Sequence, residues 1–196
     1  MDRLTAHKVV VWWPPIGLVA MVALGLVVGK KSTPIDGWFT RAGHDHRWLH
    51  RLLYFTNEWV LLALLVFCVA VTLYRGQRRF AAVIVVTPIV AVVVERVLKQ
   101  VFQRRWHGAL AYPSGHTTLL VLMLGLAVIV AGAAAWTVAG AVVFALFGLL
   151  GLSVTFHYFT DTIGGVLLGT ALLCLAVRAA GLDRCQPRCD VGHSDG

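Results

Sequence analysis

The apolar positions of this chain gather into long runs separated by short polar clusters. Runs at 9–29, 59–74, 80–98 and 162–177 each approach the roughly 20 residues that a helix needs to cross a bilayer. A fifth run is longer. Between His116 and His157 lie 40 residues without one Asp, Glu, Lys or Arg. A single helix of that length would extend about 60 Å, twice the hydrocarbon thickness. The run therefore predicts a helical hairpin of two spans, with its turn near 132–137, where small residues meet Trp136. The whole pattern predicts an all-α polytopic membrane protein with six transmembrane helices. Pro14 and Pro15 fall near the start of the first span, where proline is tolerated. Pro88 falls inside the third, which membrane helices accept.

Composition supports this reading. The chain has 196 residues, is 59% hydrophobic and only 13% charged, and has a mean hydropathy of +0.79. A soluble domain carries about twice that charge fraction. The formal net charge of +8 belongs to loops that meet anionic headgroups, so membrane lipid phosphate is the expected partner and nucleic acid is not. The first span is read as retained, because Lys30 and Lys31 follow it directly. One transmembrane domain is expected over 1–182, with a polar tail over 183–196. Segment 30–58 is read as a partly helical stretch lying at the interface, with His44, His46 and His50 facing headgroups or water in preference to a metal. Cys68 and Cys174 lie in apolar runs and read as small hydrophobes. Cys185, Cys189 and His193 in the tail allow a metal clip, but the surrounding Gly, Asp, Pro and Ser favour a plain polar tail.

The connectivity of six spans brings separate polar clusters together. Counting crossings puts Lys99, Arg104 and Arg105, then Pro113-Ser114-Gly115-His116, then His157-Tyr158-Phe159-Thr160-Asp161 on one membrane face. The Lys and Arg flanking the spans fall eight on each face. Setting aside Lys99, Arg104 and Arg105 as site residues tips the count toward an outer-facing site.

Each cluster suits an anion. Ser114 and Gly115 open a predicted helix, whose free N–H groups and positive dipole end attract phosphate. His116 there can donate a proton to a leaving oxygen. His157 and Asp161 stand four apart, on one face if a helix runs through both, so the carboxylate can fix the imidazole tautomer. A capping role for Asp161 beside an interfacial histidine is the plain alternative. Lys99, Arg104 and Arg105 can clamp phosphate oxygens or simply touch headgroups. Glu95, one turn before Lys99, can pair with Lys99 or with Arg96.

In order and spacing these clusters resemble the membrane-bound type-2 phosphatidic acid phosphatase (PAP2) superfamily. That family carries a Lys followed seven residues later by Arg-Pro, then Pro-Ser-Gly-His, then Ser-Arg-x5-His-x3-Asp. The middle motif matches at Pro113 to His116, and the end of the last at His157 and Asp161. The resemblance spans roughly residues 55 to 178. It implies a six-span PAP2-like bundle and a lipid phosphatase without metal or other cofactor. His157 would be the nucleophile and form a phosphohistidine, Asp161 would orient it, and His116 would be the acid. Lys99, Arg104, Arg105, Ser114 and Gly115 would bind phosphate.

Two departures stand out. Position 106, where the first motif has its arginine, is Trp106, with no proline after it. The last motif's Ser-Arg is Leu150-Gly151. Substrates expected from the resemblance are polyprenyl or glycerolipid phosphates and diphosphates. The composition, rich in Ala, Val, Gly and Arg, associates the chain with a GC-rich bacterium and its inner membrane. The alternatives are a non-catalytic lipid-phosphate binding or transport protein on the same scaffold and, less favoured, a redox protein using the histidines as ligands.

Overall fold

The computed structural model describes residues 3–182, so Cys185, Cys189, His193 and the tail reading lie outside the described residues. It is built from α1 (Arg3–Val28), α2 (Pro34–Asp45), a 3₁₀ segment (Arg47–Thr56), α3 (Glu58–Tyr74), α4 (Arg78–Phe102), α5 (Gly115–Val130), α6 (Ala135–Ser153) and α7 (Phe159–Ala180). A two-stranded hairpin, β1 (Arg105–Trp106) and β2 (Ala109–Leu110), joins α4 to α5, with Arg105 opposite Leu110. The chain is a multi-pass, predominantly helical membrane protein. Among the described residues, five stretches are long and apolar enough to cross a bilayer: α1, α3 with the 3₁₀ segment before it, α4, α6 and α7. The sixth expected crossing, α5, is apolar but shorter, at 16 residues. The uncharged run folds back as expected; its turn is tighter, at 131–134, and Trp136 sits in the first turn of α6.

Helix α7 is central, packing chiefly on α1 and α5 and touching α2, α4 and α6. Its contact with α5 is close because Gly165 and Gly169 form a small-xxx-small stripe. A Cβ on Gly165 would lie 2.6 Å from the Ser114 carbonyl oxygen, and one on Gly169 would lie 2.8 Å from that of Thr118. This approach sets the start of α5 against the start of α7. Their ends are tied by a hydrogen bond from Ser114 N to Asp161 O, 3.0 Å. At the opposite end, Arg75 donates to Val130 O at 2.6 Å and Arg79 to Ala179 O at 3.0 Å, closing the carboxyl ends of α5 and α7.

The segment over 30–58 does more than lie at an interface. Thr33, Pro34 and Asp36 form a capping box that starts α2: Thr33 N donates to the Asp36 carboxylate (2.8 Å) and Asp36 N to the Thr33 hydroxyl (3.3 Å). Asp36 is fully buried. The 3₁₀ segment packs on α6, with Phe55 edge-on to Phe144 at 4.8 Å between centroids and tilted on Phe147 at 5.4 Å. Its backbone lies directly over Gly151. His44, His46 and His50 are exposed, and among the described residues no cluster of three His, Cys, Asp or Glu side chains suits a metal.

Candidate active site

The three polar clusters meet at one end of the bundle. Lys99 reaches it from the last turn of α4, which ends at Gln103 in a left-handed conformation (φ 53°). Ser114 caps α5, its hydroxyl accepting from Thr117 N at 3.4 Å and bonding the Thr117 hydroxyl at 3.1 Å. His116 follows in the first turn. His157 lies in the short loop between α6 and α7. The rings of His116 and His157 are 6.2 Å apart between centroids. Both line a cavity of about 620 Å³, together with Lys99, Trp106, His107 and Phe156. Trp106 and His107 come from the β1–β2 hairpin. They were not singled out in the sequence, where only the absence of an arginine at 106 was visible.

Helix α7 begins at Phe159, so His157 precedes it and the pair does not share a helical face. The Asp161 carboxylate caps the helix instead, accepting from Tyr158 N at 3.3 Å. Its Oδ2 lies 4.0 Å from His157 Nδ1, beyond hydrogen-bond range, and that nitrogen is buried without a partner. The orienting bond expected between Asp161 and His157 is therefore open in this state. Burial first, then the positive charge of Lys99 and the nearness of His116, push the His157 imidazole down to about 3. The ring is neutral at physiological pH, as an attacking nitrogen must be.

Arg104, expected among the phosphate ligands, does not line the cavity. It is buried and paired on both sides. Nη1 donates to Asp161 Oδ1 at 2.9 Å and to the Thr160 hydroxyl at 2.7 Å; Nη2 donates to Asp36 Oδ2 at 2.8 Å and to Lys31 O at 3.2 Å. The guanidinium also lies 4.5 Å from the centre of the Tyr158 ring. Asp36 completes the cluster by accepting from Thr160 N and from the Thr160 hydroxyl, each at 2.9 Å. Burial works against its ionisation, but donors from Thr160 and Thr33 hold its carboxyl below the usual range. Replacing Arg104 by methionine is expected to destabilise the fold by about 3–5 kcal/mol, because Asp36 and Asp161 would stay buried without their shared cation. Thermal unfolding in detergent measures this, and a loss near zero would contradict it.

Arg105 is exposed on β1 and donates to Gly108 O at 3.2 Å. Lys99 is ion-paired with Glu95, whose carboxylate also rests against Gly115. Of the expected phosphate ligands, Lys99 alone brings a charged side chain to the cavity wall; Ser114 and Gly115 offer the amino end of α5. Two residues of the cluster, Asp36 and Thr160, were missed in the sequence. The capping-box pattern at Thr33 to Asp36 signals a helix start but not a buried partner for Arg104.

No protein-family model matches the chain, and no curated protein matches it. Among solved structures, it is similar to a transmembrane PAP2-type phosphatidylglycerolphosphate phosphatase from Bacillus subtilis. The TM-score is 0.71 at 19% sequence identity, covering 90% of this chain and 98% of that one. The chain thus has the fold of a transmembrane PAP2-type phosphatase, the fold that its motifs resemble.

Proposed function

We propose that the chain is an integral membrane phosphatase that hydrolyses a lipid-linked phosphate or diphosphate through a phosphohistidine. The observation that carries this reading is the pairing of a neutral, buried His157 with His116 on one cavity wall, beside Lys99 and the amino end of α5. In this scheme the substrate phosphate sits between Lys99 and the first N–H groups of α5. A His157 ring nitrogen attacks phosphorus and the bond to the leaving oxygen breaks. His116 gives that oxygen a proton, then takes one from the water that attacks the phosphohistidine, which releases phosphate and restores His157. Asp161 draws toward His157 as the imidazolium forms.

The substrate class comes from location. The short α5 would act as a sixth span, and the site would then open at the membrane face that the basic-residue count favours as the outer one of a bacterial inner membrane. The apolar tail would stay in the bilayer. The Bacillus subtilis neighbour is a phosphatidylglycerolphosphate phosphatase, so glycerolipid phosphates belong in a panel beside polyprenyl mono- and diphosphates. The test is phosphate release by purified protein from that panel in detergent micelles, with and without a metal chelator. Release that persists in chelator supports the full reading. Tight lipid-phosphate binding without turnover would replace it with the non-catalytic alternative, which the Glu95 hold on Lys99 and the lack of arginine at 151 favour.

The Glu95–Lys99 pair makes its own prediction. Substrate phosphate must compete with the Glu95 carboxylate for Lys99. Glu95→Gln is expected to strengthen product inhibition by inorganic phosphate about fivefold, the equivalent of roughly 1 kcal/mol. An unchanged or weakened inhibition constant would remove Glu95 from that competition.

A further inference from the structure

The first loop contributes a buried carboxylate to the start of α7, and the phosphatase scheme above gives that carboxylate no role. Asp36 is wholly inaccessible and accepts hydrogen bonds from three chain segments: Thr33 in its own capping box, Arg104 after α4, and Thr160 on α7. The Thr160 hydroxyl has one proton, which goes to Asp36, while its lone pairs accept from Arg104. Arg104 then passes to Asp161 Oδ1. The other oxygen of Asp161 is the one that faces His157. A continuous series of side chains thus runs from α2 to the ring proposed as nucleophile. Three charges are buried to build it, where apolar packing of similar volume would stabilise the bundle as well or better.

We propose that Asp36 is a positioning residue: with Thr160 it holds Arg104 so that the Asp161 carboxylate is shared between that guanidinium and His157. The proposal rests on the reading of His157 as nucleophile. Arg104 offers two forks. While Asp36 occupies one, only the other pulls on Asp161, and Oδ2 stays free to meet His157 as it becomes an imidazolium. Without the Asp36 charge, Asp161 is the sole anion for Arg104, and its carboxylate turns from His157 toward the guanidinium. Asn at 36 would also set an amide N–H₂ against donors from Arg104 or Thr160. Asp36, Thr160, Arg104 and Asp161 do not line the cavity, so substrate binding should be spared while the chemical step suffers.

The test is steady-state kinetics of full-length Asp36→Asn on whichever lipid phosphate the wild type cleaves, alone and combined with Asp161→Asn. Displacing a catalytic group by about 1 Å costs up to ~100-fold. The expected result is a kcat lower by about 10- to 100-fold with KM within about threefold, and little further loss when Asp36→Asn is added to Asp161→Asn. Thr160→Val keeps all three charges and nearly the same shape while removing the hydroxyl; it should lower kcat in the same selective way, by several-fold. It carries the test if Asp36→Asn does not fold, or if Asp161→Asn leaves no measurable rate. A KM that rises in step with the loss, an additive double variant, or unchanged kcat with only a lower unfolding temperature would overturn the proposal and leave Asp36 as a brace for α2. A wild-type chain that turns over no lipid phosphate would overturn the phosphatase reading itself, and the positioning role with it.

Discussion

Alanine at position 157 is expected to abolish phosphate release from every lipid phosphate that the wild-type chain cleaves, a loss on the order of 10³-fold or more. His157 is the proposed site of covalent attachment, so no neighbouring group can replace its chemistry by proximity alone. His116 lies 6.2 Å away between ring centroids, on α5. In the proposed scheme it meets the leaving oxygen and not the phosphorus. This difference separates the two histidines experimentally. Loss of a general acid costs about 10²–10⁴-fold when the leaving group is a poor one. The cost shrinks for an ester that departs without a proton. On a nitrophenyl phosphate, His116→Ala should therefore recover much of its rate of nitrophenol release in the first turnover, and His157→Ala should recover none. Equal recovery by both, or a His157→Ala protein as active as wild type, would reverse the assignment. Alkaline SDS quench of wild-type protein with a ³²P-labelled substrate should also trap a base-stable phosphoprotein that loses its label in acid and that His157→Ala lacks.

The low affinity of His157 for protons has a second consequence. Its folded value near 3 lies below the ordinary 6.5, because the charged ring is penalised by burial and by Lys99. The unfolded chain then binds the proton more readily than the folded one. The neutral, buried ring causes no loss above about pH 6.5, and stability falls as pH drops from there toward 3. The ring proposed as nucleophile stays unprotonated at pH 5–7, so an acid limb in the rate there would belong to other groups of the site.

How much of this was readable in the chain follows from the range of each interaction. The helices were, because apolar run length is a local property, and so was the return of the 117–156 stretch, since no bilayer accommodates it as one span. The meeting of His116 with His157 followed from connectivity alone. The partners of Arg104 did not. Asp36 lies 68 positions away in a segment whose Trp, His and Arg content resembles an interfacial surface, and its carboxylate is buried only because α2 folds inward. A basic residue beside a Ser-Gly-His motif looks equally suited to phosphate or to a buried acid. Which of them it meets depends on tertiary packing. The i, i+4 reading of His157 and Asp161 failed for a local reason: Tyr158 takes the cap position, so the helix begins one residue after it.

Position 151 shows the same limit from the other side, and it carries the second large prediction. The resemblance to PAP2 enzymes invites Gly151→Arg as a repair that restores a missing phosphate ligand. The structure predicts failure. A Cβ at 151 would lie 2.7 Å from the Leu52 carbonyl carbon and 2.9 Å from Leu52 O and Leu53 N. These are backbone atoms of the 3₁₀ segment and have no rotamer to move out of the way. Alanine alone should cost about 1–3 kcal/mol as an overpacked contact. An arginine needs the whole segment to leave α6, stripping Phe55 from Phe144 and Phe147 and exposing the buried face of Gly148. The expected outcome is protein that aggregates or fails to accumulate in the membrane, seen as loss of the monodisperse peak in detergent, with no gain in kcat/KM. A well-folded Gly151→Arg protein with higher turnover would mean that the 3₁₀ segment does not sit on α6 in the active state. The site's shortage of arginine is thus a consequence of packing. With the first loop occupying the space above residue 151, the proposed scheme leaves phosphate to what remains on the cavity wall: Lys99, the amino end of α5 and the histidines.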